Sequence, residues 1–349
     1  MAFKDFGARV MARVLGDIET KTGKTAANKR TVLVATSGDT GGAVAAGFHG
    51  VKNVRVIILY PENKVSPLQR AQMHSFAIGE NSNVEAIAVR GTFDDCQKLV
   101  KLAFSSKELS EQFGLTSANS INLARLLPQT CYYVNAVKQF YERGDSKTKA
   151  PVFCVPSGNF GNCTAGLISQ RRGLAISSFI VATNRNKVFV DFLKSGQLEA
   201  MPSVQTISNA MDVGNPSNFE RIRELFANEA LNSAANQLND SIKGYWFDDQ
   251  ATKDEIARTY NKQGYILDPH TAVGVLASKA WRQGNKRTSV ITLATAHPGK
   301  FSDVVSDVLP QIESKIDLST HYPRLIDTCG AAPFEPTLKS LEHTLRGTT

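Results

Sequence analysis

The chain has 349 residues, 42% of them hydrophobic, and a formal net charge of +8. It can bury a substantial core in two or three domains, and no window approaches the ~18 consecutive apolar residues of a membrane helix. Basic and acidic residues are interspersed and the N-terminus has no apolar signal region, so we expect a cytoplasmic protein with no nucleic-acid or membrane partner.

The first predicted helix begins near Lys4. The spacing of Phe6, Val10 and Val14 predicts a helix with one buried face. Considered alone, Lys4 would be an exposed solubilising residue. Its position between Phe3 and Phe6 at a helix N-terminus instead predicts partial burial beside a positive dipole end. Both effects favour the neutral amine that a Schiff base requires.

Short apolar runs alternate with helix-compatible stretches along the rest of the chain. The runs cover residues 32–35, 54–60, 84–89, 152–155, 179–182 and 290–294. The helix-compatible stretches include residues 93–104, 123–141 and 251–263. This alternation is typical of an α/β fold with mainly parallel strands.

Two of the apolar runs are each followed by a glycine loop and then by a helix-compatible segment. The loop after residues 152–155 contains Gly158 and Gly161, and the loop after residues 32–35 contains Gly38 and three hydroxyl side chains. Glycine lets the backbone approach a ligand, and the free amides of a helix start attract anions. Because ligands collect at the carboxyl ends of parallel strands, we predict two anion-binding loops facing one cleft.

Five sequence motifs, in matching order and spacing, resemble those of the threonine synthase family. They are AFKDFG (residues 2–7), ATSGDTG (35–41), SANSINLAR (117–125), PSGNFGN (156–162) and TAHPGKF (295–301). The resemblance extends to about residue 310. It implies a pyridoxal-phosphate enzyme of fold type II, the tryptophan-synthase-β-like fold. Such a protein is a three-layer α/β structure with mainly parallel sheets and two domains, and the cofactor cleft lies between the domains.

The resemblance also implies a cofactor site. Lys4 corresponds to the lysine that forms a Schiff base with pyridoxal phosphate and then acts as the general base. The loop that binds the cofactor phosphate corresponds to Gly158, Asn159, Phe160, Gly161 and Asn162. Thr295 corresponds to a threonine near the pyridine nitrogen, where a hydroxyl makes the ring a weaker electron sink than a carboxylate would. Without the motif, Thr295 would be a strand-end hydroxyl that satisfies its own backbone.

The implied substrate is O-phospho-L-homoserine, which the family converts with water to L-threonine and phosphate. The substrate-binding loop corresponds to Ser37, Gly38, Asp39 and Thr40, and the residues near the substrate phosphate correspond to Asn119, Ser120 and Arg125. From the residues alone, Ser37 or Asp39 would cap a helix and Arg125 would be an exposed helix arginine.

We expect three segments and a monomer or homodimer. Residues 1–29 would be the lysine-bearing helix and loop of the larger domain, residues 30–122 the smaller domain, and residues 123–349 the larger domain with the phosphate loop. The polar stretch 142–149 is the best candidate for a connection between the halves. The five cysteines include no C-x-x-C pair, so we predict reduced, mostly buried thiols and no metal site.

Several alternatives remain open at this stage. The family carries a sizeable stretch before the lysine motif that this sequence lacks, so we expect an N-terminally truncated chain, and a catalytically silent fragment that binds only a ligand or a partner is one hypothesis. Another is a threonine dehydratase or cysteine synthase of the same fold, and a third is a nucleotide-binding domain, against which the glycine spacing argues. His270 and His297 are predicted near element ends, and we assign them no role.

Overall fold

A computed structural model describes residues 2–22, 29–77, 82–120, 122–144, 150–226, 238, 241–312 and 335–346. The chain divides into two compact units, one comprising Met1–Arg125 with Leu318–Thr349 and the other comprising Leu126–Asp317. In each unit, four parallel strands form one sheet with helices packed against it. The α/β prediction with mainly parallel strands is therefore confirmed.

The sheet of the first unit has the strand order β3-β2-β1-β4, and every pair is parallel. Its strands are β1 (Arg30–Ala35), β2 (Val54–Pro61), β3 (Val84–Val89) and β4 (Leu115–Ser117). Its helices are α1 (Lys4–Lys21), α2 (Asp39–Phe48), α3 (Pro67–Ser75), α4 (Phe93–Ser105), α5 (Lys107–Gln112) and α14 (Leu338–Arg346), and α6 (Leu123–Leu126) ends at the border of the unit.

The sheet of the second unit has the order β7-β6-β5-β8 and is also parallel throughout. Its strands are β5 (Val152–Pro156), β6 (Phe179–Thr183), β7 (Ile242–Trp246) and β8 (Val290–Thr292). Its helices are α7 (Thr130–Glu142), α8 (Gly161–Arg171), α9 (Val188–Ser195), α10 (Phe219–Phe226), α11 (Asp249–Gln263), α12 (Pro269–Gly284) and α13 (Ser302–Val308).

Both sheets place their strands in the same sequence, with the first strand between the second and the fourth. After β1, the chain adds β2 and β3 on one side of β1 and then adds β4 on its other side. In the second sheet, β6 and β7 lie on one side of β5 and β8 lies on its other side. Such a reversal is a topological switch point, where a crevice opens beyond the carboxyl ends of the strands. The two predicted glycine loops follow β1 and β5, so each lies at the switch point of its own sheet.

Each core consists of apolar strand residues and of apolar helix residues that pack against the sheet. Every residue of β5 and β6 is buried, as expected for parallel strands that are covered on both sides. The core of the second unit includes Phe153 and Phe179, and the core of the first unit includes Val34 and Phe48. These packed sheets fix the positions of the loops that follow their strands.

The predicted strands are confirmed within one or two residues, but two strands were missed. Leu115–Ser117 is very short, and Ile242–Trp246 is only partly buried. The predicted helix at residues 123–141 is interrupted by a 3-10 turn at Leu127–Gln129, because Pro128 cannot donate the backbone hydrogen bond that a continuous helix needs.

The predicted buried face of α1 is wrong. Phe6, Val10 and Val14 are 50%, 45% and 50% exposed. The buried side of the helix includes the small residues Gly7, Ala8 and Ala12, and a side chain at Gly47 of α2 would come within 3.1 Å of the Ala8 carbonyl carbon. Because α1 and α2 approach so closely, small residues form the contact and the larger apolar residues lie outside it.

Some predictions concern residues that lie outside the described part of the chain. These include most of the predicted connection at 142–149 and Cys329. Cys96, Cys154 and Cys163 are buried free thiols and Cys131 is an exposed one, and burial raises the pKa of each of the three buried thiols to about 12. No helix within the described residues is long and apolar enough to cross a membrane.

The compact units group the chain differently from the predicted domains. Helix α1 packs on α2 and belongs to the first unit, whereas residues 1–29 were assigned to the larger domain. A compact unit is defined by its internal contacts, and a domain in the functional sense is a part that folds or moves as one. The predicted domain boundaries therefore stay a prediction.

Candidate active site

The loop after β1 is shaped by Thr36, which was not among the predicted site residues. Gly38 has a φ of +135°, a conformation that side chains rarely adopt, and an added Cβ would lie 2.4 Å from the Gln69 side chain. The Thr36 hydroxyl accepts hydrogen bonds from the Gly38 and Gly41 amides at 2.9 and 2.8 Å. Thr36, rather than the predicted Ser37 or Asp39 cap, therefore fixes the start of α2.

Asn119 connects this loop to the strand beyond the switch point. Its side-chain amide donates to the Ala35 carbonyl at 2.7 Å, and its side-chain oxygen accepts from the Ala35 amide at 3.2 Å. The Ser117 hydroxyl accepts from the Asn119 amide at 3.1 Å. The first unit therefore brings the two predicted groups Ser37–Thr40 and Asn119–Ser120 to adjacent strand ends.

Lys4 begins α1, as predicted, and its side chain is only 18% exposed. Its Nζ lies 4.0 Å from the Asp39 carboxylate and 5.5 Å from the centre of the Phe3 ring. Asp39 is buried and also accepts a hydrogen bond from Gln69 at 3.3 Å. The amine is partly desolvated as expected, and the carboxylate beside it is a contact that the sequence did not indicate.

Arg125 is buried, with 3% of its surface exposed, so the alternative of an exposed helix arginine is wrong. Its guanidinium donates to the Ala118 carbonyl in the turn that contains Asn119. Burial lowers the pKa of Arg125 to about 10, and the Asp5 carboxylate opposes this effect. A Cβ at Gly7 would lie 2.3 Å from the Arg125 carbonyl oxygen, so the start of α1 passes directly against the Arg125 backbone.

The loop after β5 has the properties of an anion-binding helix start. Phe160 has a φ of +62° and precedes α8, whose first turn has no acidic residue and no side-chain cap. The buried amides of Gly161 and Asn162 meet no acceptor within the described part of the chain. Unpaired buried amides at a helix N-terminus suit a phosphate group. The loop therefore fits the phosphate of the cofactor that the resemblance implies.

The Asn162 side chain helps to hold this loop in shape. Its amide donates to the Pro156 carbonyl at 2.7 Å, and its oxygen accepts from the Cys163 amide at 2.7 Å. Phe160 is buried and stacks on Phe189, with 4.4 Å between the ring centres. Both side chains point into the protein, so the ligand-binding groups that the loop offers are backbone amides.

Residues 208–218, which we name the support segment, pack on the same loop. A Cβ at Gly158 would come within 2.8 Å of the Ala210 carbonyl oxygen. The Asn159 side-chain oxygen accepts from the Ser217 amide at 3.2 Å, and its backbone carbonyl accepts from Asn218 at 2.9 Å. Gly158 is therefore required because another backbone lies where a side chain would project.

A buried polar cluster holds the support segment at Asp212. The Asp212 carboxylate accepts hydrogen bonds from Asn184 at 2.8 Å, from Asn186 at 3.0 Å and from the Thr206 hydroxyl at 2.7 Å. Burial raises the pKa of Asp212 to about 7, and the hydrogen bonds from Thr206 and Asn184 oppose this effect. Asn184 directly follows β6, so the cluster anchors the support segment to the sheet.

Thr295 lies beyond β8, on the other side of the switch point from the phosphate loop. Its hydroxyl donates to the Asp268 carboxylate at 3.0 Å, and its amide donates to the Thr271 hydroxyl at 3.0 Å. The hydroxyl therefore does not satisfy its own backbone, which was the alternative. Asp268 caps the start of α12. An aspartate before a proline at a helix start was visible in the sequence, but its contact with Thr295 was not.

The two histidines of the sequence analysis have different surroundings. His270 is buried between Asp268, 3.1 Å from its Nδ1, and the Ala210 amide, 3.1 Å from its Nε2. His297 accepts a hydrogen bond from the Gly299 amide at 3.2 Å, which is a local capping contact. His270 therefore connects α12 to the support segment, whereas His297 completes a turn.

A cleft at the opposite end of the second sheet has a different character. Its lining includes Arg143 at the end of α7, Arg282 near the end of α12, and Lys286 and Arg287 before β8. Cations near helix C-termini stabilise those helices. None of the predicted site residues lines this cleft, so we do not place the active site there.

Comparison with known proteins identifies close relatives. A family model described as pyridoxal-phosphate dependent enzyme matches residues 1–295, and a model described as threonine synthase, C-terminal, matches residues 271–328. The threonine synthase of Buchnera aphidicola subsp. Acyrthosiphon pisum is 43% identical over 328 residues, which cover 94% of this chain and 71% of the relative.

Solved structures give the same result. The crystal structure of threonine synthase from Escherichia coli has a TM-score of 0.83 and 38% identity, covering 100% of this chain and 76% of that one. The pyridoxal-phosphate-bound threonine synthase from Brucella melitensis has a TM-score of 0.81 and 32% identity, covering 99% and 76%. The similarity thus includes both units.

Proposed function

The chain belongs to the threonine synthase family of pyridoxal-phosphate-dependent enzymes, and we propose that it converts O-phospho-L-homoserine and water to L-threonine and phosphate. One observation carries the proposal beyond family membership. The buried amides of Gly161 and Asn162 are unpaired within the described residues, at the switch point where a cofactor phosphate would bind. The family assignment excludes the nucleotide-binding hypothesis.

We propose that the loop Gly158, Asn159, Phe160, Gly161 and Asn162 binds the cofactor phosphate through its backbone amides. Thr295 would face the pyridine nitrogen. Pyridoxal phosphate, when bound, supplies an electron sink that stabilises negative charge on substrate carbon atoms. The chain's own contribution is a fixed set of amides, since the side chains of Phe160 and Asn162 are engaged with the protein.

We propose Lys4 as the residue that carries the cofactor covalently and as the base that removes the substrate α-proton. Its partial burial and its position at the start of α1 support this role. Asp39, 4.0 Å from its Nζ, would stabilise the ammonium form after proton transfer. The contact at Gly7 also supports this role for Lys4. The backbone of α1 at Gly7 lies directly against Arg125, which fixes the position of the start of α1.

We propose that the substrate is bound by residues at the switch point of the first sheet. Its carboxylate would be bound by Ser37, Gly38, Asp39 and Thr40, and its phosphate by Asn119, Ser120 and Arg125. The contact of the Arg125 guanidinium with the Ala118 carbonyl holds the turn that presents Asn119, and hydrogen bonds to charged groups are among the stronger ones. The backbone amides and hydroxyls of the Ser37–Thr40 loop would bind the substrate carboxylate, whereas the Asp39 side chain would contact Lys4.

Two alternatives within the family's fold predict different products. A dehydratase-like enzyme would release a 2-oxo acid, and a catalytically silent chain would bind the cofactor without turnover.

We further propose a cytoplasmic enzyme that acts as a monomer or homodimer. None of these features changes the assignment of residues given above.

The proposal is tested by incubating the protein with pyridoxal phosphate and O-phospho-L-homoserine. We expect equal amounts of inorganic phosphate and threonine, measured by a colorimetric assay and by chromatography. Lys4→Ala should abolish turnover, whereas Lys21→Ala, which changes an exposed lysine at the other end of α1, should not. A 2-oxo acid product, or a bound cofactor with no turnover, would contradict the proposed reaction.

A further inference from the structure

Gln69 is a buried polar residue that none of the five sequence motifs includes. It lies in the first turn of α3, and none of its surface is exposed. Its side-chain oxygen accepts a hydrogen bond from the Ser66 amide at 3.0 Å, and its side-chain nitrogen donates to the Asp39 carboxylate at 3.3 Å. The side chain therefore connects the start of α3 to the start of α2.

These two hydrogen bonds fix the orientation of the Gln69 amide. The backbone N–H of Ser66 can only donate, so the oxygen of the amide must face Ser66 and the nitrogen must face Asp39. The side chain also lies directly against the loop after β1, because a Cβ at Gly38 would come within 2.4 Å of the Gln69 side-chain carbonyl. The amide is thus held by two polar partners and by the backbone of that loop.

Helix capping alone does not explain a glutamine at this position. Ser66 and Gln69 form a capping box, which glutamate satisfies as well as glutamine because only the side-chain oxygen takes part. The capping box of α4 has a carboxylate, Asp95, in the same place. The amide nitrogen of Gln69 takes no part in the box, and it reaches Asp39 on another helix.

The second oxygen of the Asp39 carboxylate faces Lys4. Oδ1 accepts the hydrogen bond from Gln69, and Oδ2 lies 4.0 Å from the Lys4 Nζ. The terminal torsion of an aspartate is broad, so a hydrogen bond to one oxygen decides where the other oxygen points. Because Asp39 is buried, water does not take the place of this donor.

We infer that Gln69 is a positioning residue for Lys4, because its amide fixes the Asp39 carboxylate with one oxygen directed at the amine. The inference rests on the proposed function, in which Lys4 carries the cofactor and acts as the base. Gln69 acts through Asp39, whose charge beside the amine affects how readily Lys4 reacts.

The experiment measures how fast Lys4 is acetylated in the full chain freed of cofactor, by brief treatment with an acetylating reagent near neutral pH and peptide mass spectrometry. Lys21, an exposed lysine at the other end of α1, is the internal reference. Gln69→Met keeps an unbranched side chain and removes the amide. Ser66→Ala removes the capping hydroxyl and leaves the amide in place, and Asp39→Asn removes the charge.

Asp39→Asn and Gln69→Met should each accelerate the acetylation of Lys4 by about threefold relative to Lys21, because the ammonium form loses a directed opposite charge. Ser66→Ala should leave the rate unchanged, since the bond from Gln69 to Asp39 remains. When Asp39→Asn is already present, Gln69→Met should cause no further change, because no charge is left to position.

Several outcomes would overturn the inference. Equal rates in the native protein and in Asp39→Asn do so even if Gln69→Met fails to fold, because Asp39 then has no effect on the amine. An unchanged or slower rate in Gln69→Met, an equal acceleration in Ser66→Ala, or a further acceleration in the double variant also does so. The proposed function is tested separately, since a native protein that releases no phosphate from the substrate contradicts the reaction and not the contact between Gln69 and Asp39.

Discussion

The loops after β1 and β5 occupy equivalent places in two sheets of the same strand order, yet they treat negative charge differently. At the start of α2 the protein places its own carboxylate, Asp39, beside Lys4. At the start of α8 no acidic residue is present, and two buried amides meet no acceptor within the described residues. The same strand-loop-helix arrangement can thus hold a carboxylate of the protein itself at the helix N-terminus, or leave the helix N-terminus to an anionic ligand.

The two loops also differ in how they are held. Side chains at neighbouring strand ends, Thr36 and Asn119, bind the backbone of the first loop. The second loop depends on the support segment, whose backbone contacts Gly158 and Asn159 and which is itself held by Asp212. We therefore expect the second loop to be more sensitive to pH and to changes in the support segment.

The largest expected effect is a dependence of stability on pH through Asp212. Burial raises its pKa to about 7 in the folded state, so the folded protein binds more protons than the unfolded chain between about pH 4 and pH 7. The unfolding free energy should therefore fall as the pH rises through this range, by at most about 4 kcal/mol. Denaturant titrations at several pH values measure it.

Asp212→Asn provides the comparison, because it cannot titrate at this position. Its unfolding free energy should vary less with pH than that of the native protein over the same range. Equal slopes for the two proteins would show that the support segment does not carry this pH dependence.

Gly158→Ala should weaken cofactor binding by at least about tenfold and lower stability by about 2 kcal/mol, because the new Cβ would overlap the backbone of the support segment. Absorbance titration with pyridoxal phosphate and thermal unfolding measure the two effects. Gly284→Ala is the control, since no atom lies within 4 Å of a Cβ there. An unchanged affinity in Gly158→Ala would show that the segment does not position the loop.

Asn119→Ala tests the corresponding support of the first loop. It removes both hydrogen bonds to the Ala35 backbone and should destabilise the protein by roughly 1–2 kcal/mol. Asn285→Ala, which removes one exposed bond to the Trp281 carbonyl, should have almost no effect. Equal unfolding midpoints for the two variants would contradict the structural role of Asn119.

Asp39→Asn should have the smallest effect, a change in the pH dependence of the reaction between Lys4 and pyridoxal phosphate. Without the carboxylate at 4.0 Å, the ammonium form of Lys4 loses a neighbouring opposite charge, so the rate profile should move toward lower pH. Stopped-flow absorbance measures the rate. Asp17→Asn, which removes the exposed partner of Lys21, should leave the profile unchanged.

Much of the fold was predictable from local pattern. Apolar runs such as the one in Val152–Pro156 are confirmed as strands, because a parallel strand covered on both faces needs continuous hydrophobicity. The orientation of α1 was not predictable. The spacing of apolar residues shows that Phe6 and Val10 share a helix face, but it does not show that the small residues beside them form the contact with α2. Short or half-buried strands such as Ile242–Trp246 lack the continuous apolar run by which the other strands were predicted.

The candidate site divides in the same way. The motifs indicated Lys4 and the loop around Gly158 because a lysine at a helix start and a loop rich in glycine and asparagine can be recognised from the local sequence. Thr36 and Asp268 were missed because their importance comes from contacts with residues on other elements, and Asp268 reaches Thr295 across 27 positions of the chain. Tertiary hydrogen bonds of this kind leave no periodic pattern in a sequence.

The most direct test of the central claim is borohydride reduction of the protein loaded with pyridoxal phosphate, followed by peptide mass mapping. We expect a reduced cofactor adduct on Lys4 in the native protein and no specific adduct at any other lysine in the Lys4→Ala variant. A native protein without an adduct on Lys4, or one that carries its specific adduct on another lysine, would contradict the role of Lys4 as the cofactor-binding lysine.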